Sequence, residues 1–159
     1  MVINRINNYN IFELIILLVS LTVVTYFDIK KRIVPDIMII ISIMLLVIVR
    51  FFIEKTFSFW IFVDLSTGFL VFFLLRIFSN RRLGMGDVKL SAFLAALLGI
   101  PVWIFSMLIA SSSGIIIFLL MLLFGKIRKE ESIAFAPFIS FGAAVGFLFS
   151  PEILKLYII

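Results

Sequence analysis

Apolar residues run through this chain in long blocks, and polar residues collect in the short gaps between them. Six blocks approach the roughly 20 residues that a helix needs to cross a hydrocarbon core of about 30 Å. They are 11–27, 36–53, 59–78, 88–100, 102–124 and 134–150. The fourth is short for a full crossing and stops at Gly99-Ile100-Pro101, and proline tolerates a first helical turn but breaks an interior. A tight turn from the fourth helix into the fifth is expected; one broken helix is the alternative. The blocks predict an all-α, polytopic integral membrane protein of about six transmembrane helices, with residues 1–159 as a single transmembrane domain. No internal repeat, low-complexity tract or soluble domain boundary interrupts them.

Composition makes lipid the main solvent. Of 159 residues 64% are hydrophobic and 14% charged, more apolar surface than a soluble fold of this size can hide. Twenty Phe against three Tyr and two Trp fit a lipid-facing chain. The net charge of +5 does not point to nucleic acid, because the basic residues sit in short loops, as the positive-inside rule describes. Lys30, Lys31 and Arg32 follow the first block; Arg76, Arg81, Arg82 and Lys89 surround the join of the third and fourth; Lys126, Arg128 and Lys129 follow the fifth. The other faces hold only Arg5, Arg50, Lys55 and Lys155. This bias predicts both termini outside and three basic loops in the cytoplasm. The first block is not expected to be a cleaved signal peptide, since its positive charges follow the apolar run and no small-x-small site precedes them.

The chain has no His and no Cys. That excludes Ser-His-Asp and Cys-His mechanisms, HExxH zinc sites, disulfides and thiol nucleophiles. Hydrolytic chemistry here must rest on carboxylates, on a Ser-Lys pair, or on a metal held by oxygen. Ser111, Ser112 and Ser113 invite the Ser-Lys reading, but no lysine lies in an apolar block to serve as the desolvated base.

Two aspartates stand out. Asp28 ends an apolar run just before Lys30-Lys31-Arg32, and Asp87 follows Gly84-Met85-Gly86 where a basic loop enters the fourth block. On the predicted topology both lie at one membrane face although far apart in sequence. Taken singly, Asp87 reads as a helix N-cap and Asp28 as a solvated loop charge. Together they can activate water, one carboxylate taking its proton while the other protonates the carbonyl oxygen or leaving amine. Gly84 and Gly86 would permit unusual backbone conformations and close approach of a substrate chain. Helix polarity would favour ionised Asp87 as base and protonated Asp28 as acid.

These residues resemble the type IV prepilin peptidase family, membrane aspartic proteases of the GxGD group. Tyr26-Phe27-Asp28-Ile29-Lys30-Lys31-Arg32-Ile33-Val34-Pro35 is similar to the family's first motif. Leu83-Gly84-Met85-Gly86-Asp87-Val88-Lys89-Leu90 matches its second, GxGDxKL, and Ala134-Phe135-Ala136-Pro137-Phe138-Ile139-Ser140-Phe141-Gly142 resembles its Pro-Phe-containing final helix. The resemblance implies a catalytic pair Asp28 and Asp87; Gly84, Gly86 and Lys89 of the second motif are expected to position the substrate, with Lys89 orienting or screening the carboxylate pair, or snorkelling to headgroups, as the alternatives. It implies cleavage of leader peptides from prepilins, pseudopilins or preflagellins at the cytoplasmic face of a prokaryotic membrane. Larger members also methylate the new N-terminus and carry a Cys-containing insert; without Cys or that insert, this chain resembles the peptidase-only form. Pro35-Asp36 departs from the commoner Pro-Asn, and Asp36 is expected to cap the second helix. Presenilin-type proteases share GxGD but lack its Lys-Leu extension.

Neither metal nor organic cofactor is implied, and the partners expected are a membrane-inserted precursor and the bilayer. Glu13 and Asp64, acids within or beside apolar blocks, read as polar contacts between helices, with proton relay as the alternative. Gly142 and Gly146 form a GxxxG stretch expected to pack helices within the chain, with homodimerisation as the alternative. A small ion-coupled transporter using Asp64, Glu13 and Asp87, or an inactive assembly scaffold, are the competing functions.

Overall fold

In a computed structural model, residues 11–54, 59–80, 83–125 and 135–158 are described. Arg5, Lys55, Arg81, Arg82, Lys126, Arg128, Lys129 and Ala134, which entered the reading of the loops and motifs, lie outside the described residues. Every regular element among the described residues is helical. α1 is Ile11–Lys31, α2 Asp36–Glu54, α3 Trp60–Phe78, α4 Met85–Leu98, α5 Ile100–Leu123, α6 Ala136–Leu148 and α7 Ser150–Ile158.

Three helices, α1, α3 and α5, are long and apolar enough to cross a membrane. A fourth crossing results if α6 and α7, bent by 71° at their junction, count as one. The bend falls where Ser150 Oγ donates to the Phe147 carbonyl and Pro151 opens the next helix, so the α6 ladder cannot continue. Between α4 and α5 the expected tight turn is present. Gly99 has φ +77°, a left-handed conformation that glycine adopts without steric cost, and Pro101 sits in the first turn of α5.

α4 is the axis of the molecule. From Asp87 to Leu98 nearly every side chain is buried, which suits a helix apolar on all sides. Small residues allow this: a Cβ on Gly68 of α3 would lie 2.5 Å from Ala95 Cβ and 2.9 Å from the Ser91 carbonyl. Close approach through small residues is how helices associate in lipid. α5 and α6 pack in the same manner. Gly142 and Gly146 both face α5, where a Cβ would strike the Ser106 carbonyl and the Ser106 hydroxyl respectively. The GxxxG stretch thus serves packing within the chain.

Polar contacts fix the remaining helices. The hydroxyls of Ser20 and Ser42 share a 2.6 Å hydrogen bond between α1 and α2, and Thr25 donates to Ser140 Oγ between α1 and α6 at 2.8 Å. Glu13 makes the expected interhelical contact, accepting a 2.7 Å hydrogen bond from Arg50 Nε. Arg50 itself is buried rather than a loop charge. Its other two nitrogens donate to the Ala96 and Leu97 carbonyls at 3.0 and 2.8 Å, two of the acceptors that the end of α4 leaves free. Asp64 is buried on α3.

Candidate active site

Asp28 does not lie beyond its helix. α1 continues to Lys31, so Asp28 occupies its last turn and is buried. Lys30 and Lys31 prolong the helix, their ammonium groups lying over the Tyr26 and Phe27 rings. The helix ends at Arg32, whose left-handed φ of 52° lets its amide return to the Asp28 carbonyl at 2.8 Å, a common way of terminating a helix. The chain then turns through Ile33 and Val34 into α2.

The Asp28 side chain reaches a third helix. Its Oδ2 accepts the Ala136 amide at 3.0 Å. Ala136 is the first residue of α6, and Phe135 ahead of it supplies no side-chain cap. Asp28 therefore provides, from another helix, an acceptor for one of the free amides at the start of α6. This start also carries the helix's partial positive charge.

Asp87 lies in the first turn of α4, which begins three residues earlier than the apolar pattern suggests. The N-cap is Gly84, not Asp87. Asp87 is at the third helical position and accepts a hydrogen bond from the Gly84 amide, the reciprocal half of a capping box. Arg76 of α3 donates to the Leu83 carbonyl just upstream, holding the approach to this turn.

The fold brings the two carboxylates together. The charge of Asp28 acts directly on Asp87. Burial first, and then that charge, raise the Asp87 carboxyl to about 7 against the opposing Gly84 hydrogen bond. Asp87 precedes the apolar run and lies outside the three long helices. Burial and the neighbouring charge thus oppose the ionised Asp87 expected from helix polarity. Desolvation of a buried carboxyl beside a like charge outweighs a helix terminus, whose effect is about 0.3–1 kcal/mol in most settings.

The two glycines act through closeness rather than unusual backbone. Gly84 has φ −64°, open to any residue. A Cβ there would fall 3.1 Å from Asp87 Oδ2, so Gly84 leaves the carboxylate room. A Cβ on Gly86 would fall 2.5 Å from Val34 Cβ, so Gly86 lets the α1–α2 connection lie directly on α4. Lys89 Nζ donates to Asp36 Oδ2 at 2.6 Å, and Asp36 opens α2. An apolar cavity of about 380 Å³ adjoins the start of α6, between Phe135, Phe138 and the Ser111, Gly114, Ile115 and Phe118 face of α5. Among the described residues no group of three or more metal-ligating side chains gathers.

The residue that sequence reasoning misplaced is Arg50. An arginine inside an apolar block, with an acid inside another, is itself a signal for a buried pair.

A model of the type IV leader peptidase family matches residues 15–119, which contain Asp28 and Asp87 and stop short of α6. The prepilin leader peptidase/N-methyltransferase of Bacillus subtilis (strain 168) is 29% identical over 97 residues, covering 58% of this chain and 38% of that protein. The chain thus spans well under half the length of this curated relative. No solved structure matches it.

Proposed function

The chain belongs to the type IV leader peptidase family, and from that premise we propose that it is a membrane aspartic endopeptidase removing the leader peptide of a prepilin-like precursor. One observation carries the assignment of its centre: two buried aspartates, 59 positions apart, interact by charge at the junction of α1, α4 and α6. Water is the nucleophile. Asp28, whose carboxylate already accepts the α6 amide, takes a proton from water as its oxygen attacks the scissile carbonyl carbon. Asp87, whose protonated form is favoured by burial and by Asp28, gives its proton to the carbonyl oxygen; as the tetrahedral intermediate collapses, Asp28 passes the proton taken from water to the leaving amine and Asp87 recovers its own from the gem-diol hydroxyl. The pair titrates as a unit, so these are the roles of its favoured protonation state.

The catalytic face is cytoplasmic in this reading, with six crossings and both termini outside. The support is charge: Lys30, Lys31, Arg32, Arg76 and Lys89 all lie within a few residues of the two aspartates or of the loops that lead to them, as the positive-inside rule requires. The precursor class comprises pilins, pseudopilins and preflagellins, and the assignment is confined to peptide-bond hydrolysis. The transporter reading is not favoured. Glu13, one of its three acids, is closed off by Arg50 at the far end of α4.

The test is cleavage of a panel of purified precursors by the chain in proteoliposomes. Asp28→Asn and Asp87→Asn should each lose about 10²–10⁴ in rate, the usual contribution of a positioned acid or base, while still binding precursor. Parental cleavage by both variants would remove the dyad.

A further inference from the structure

The two carboxylates sit on helices that make at most marginal contact. α1 packs on α2 and α6, whereas α4 packs on α3, α2, α5 and α6. α2 touches both carboxylate-bearing helices and runs parallel to α4, which it meets at two levels. At the far end Arg50 holds the last carbonyls of α4. At the near end Val34 lies on Gly86, and Lys89 reaches Asp36 at 2.6 Å.

The near contact is not explained by stability. The Lys89 and Asp36 side chains are 34% and 60% exposed, and ion pairs of that kind contribute about 0–1 kcal/mol. Its location gives it another use. Lys89 is two residues from Asp87, and Asp36 begins the helix fed directly by the Asp28 segment. Pulling these two side chains together presses the α1–α2 connection onto the first turn of α4. Resting on the peptidase reading, we propose that Asp36 and Lys89 are positioning residues whose ion pair latches the Asp28 segment to the Asp87 turn. Lys89 then serves the geometry of the carboxylate pair, not the substrate. The step it protects is sensitive, because a displacement of about 1 Å at a reacting centre can cost on the order of 10² in rate.

Charge reversal tests the latch. Lys89→Asp and Asp36→Lys, each alone, should lower kcat by about tenfold or more with KM within about twofold. The double reversal should return kcat to within about threefold of the parent, and Asp36→Asn, which keeps a hydrogen-bond acceptor, should do the same. A second arm needs no activity. The chain has no Cys, so Ile33→Cys and Met85→Cys, flanking the Val34–Gly86 contact, can be joined by a short bifunctional maleimide in each background. Cross-linking should slow in the single reversals and recover in the double. The proposal is overturned if single reversals change neither reading, or if kcat falls while cross-linking does not. It is also overturned if the double reversal stays as slow as Lys89→Asp with a displaced pH profile, which would mean that Lys89 acts through its own charge. A parent that cleaves no precursor would instead remove the peptidase reading, with cross-linking still reporting on the latch.

Discussion

Gly86→Ala is the most demanding perturbation of this site, because the structure sets its size and its cure. The added Cβ would lie 2.5 Å from Val34 Cβ, 2.7 Å from its Cγ2 and 3.5 Å from its Cα. Carbon atoms pack best at about 3.5–4.0 Å. The α1–α2 connection and the first turn of α4 must therefore part by a little over ~1 Å. Overpacking of this kind costs about 1–3 kcal/mol of stability. The loss of rate should be larger, on the order of 10², because the same parting carries Asp87 away from Asp28. Rescue should follow the atoms. Val34→Ala removes only the methyl groups and leaves the Cβ at 2.5 Å, so it should not help. Val34→Gly leaves the Cα at 3.5 Å, an ordinary contact, and should recover about tenfold or more. The assay is the initial rate of precursor cleavage in proteoliposomes, normalised to folded protein by tryptophan fluorescence. Retention of more than a third of parental kcat by Gly86→Ala would refute the reasoning. Equal rescue by Val34→Ala and Val34→Gly would do so as well.

Acidity offers a second measurement. Asp87 is raised from 3.8 to about 7 in the folded protein, so it adds stability that is complete below about pH 4 and is lost as pH rises towards 7. Denaturation midpoints of the parent should fall across that window more steeply than those of Asp87→Asn, and equal slopes would contradict the shift. Cleavage should likewise decline above about pH 7 as the acid loses its proton. Arg50→Met leaves Glu13 buried without its partner and should cost about 3–5 kcal/mol, whereas Glu13→Gln with Arg50→Met should cost clearly less; chemical denaturation in detergent reads both. Gly146→Ala should be tolerated only together with Ser106→Ala, since the obstacle there is the Ser106 hydroxyl. Gly142→Ala should stay destabilised in either background, because it meets the Ser106 backbone; thermal unfolding separates the two cases.

The helices were legible because apolar runs of this length leave a chain little choice but to coil in lipid. Their ends were less so. α1 outlasts its apolar run because Lys30 and Lys31 fold back over Tyr26 and Phe27, and α4 starts early because its first turn is polar but helical. The aspartates could be picked out as lone carboxylates at block ends. Their partners could not, since Ala136 lies 108 positions from Asp28 and nothing local announces that contact. The reasons for Gly84 and Gly86 were hidden for the same cause: each glycine answers to a neighbour, Asp87 or Val34, rather than to its own φ. Arg50 was read by its place near a block end, when its distance inside the block was the informative quantity. The block 134–150 did yield one helix, α6, but α7 beyond it was not foreseen, because residues 151–158 fall outside every apolar block.

α4 and α5 leave Gly99 side by side but return unequal distances. At about 1.5 Å per residue, α4 brings Asp87 back after roughly 18 Å, while α5 runs on to roughly 36 Å. The last turns of α5 therefore have no counterpart on α4, and they carry exposed Ile115, Ile116, Leu119, Leu120 and Leu123, an apolar face that suits lipid rather than water.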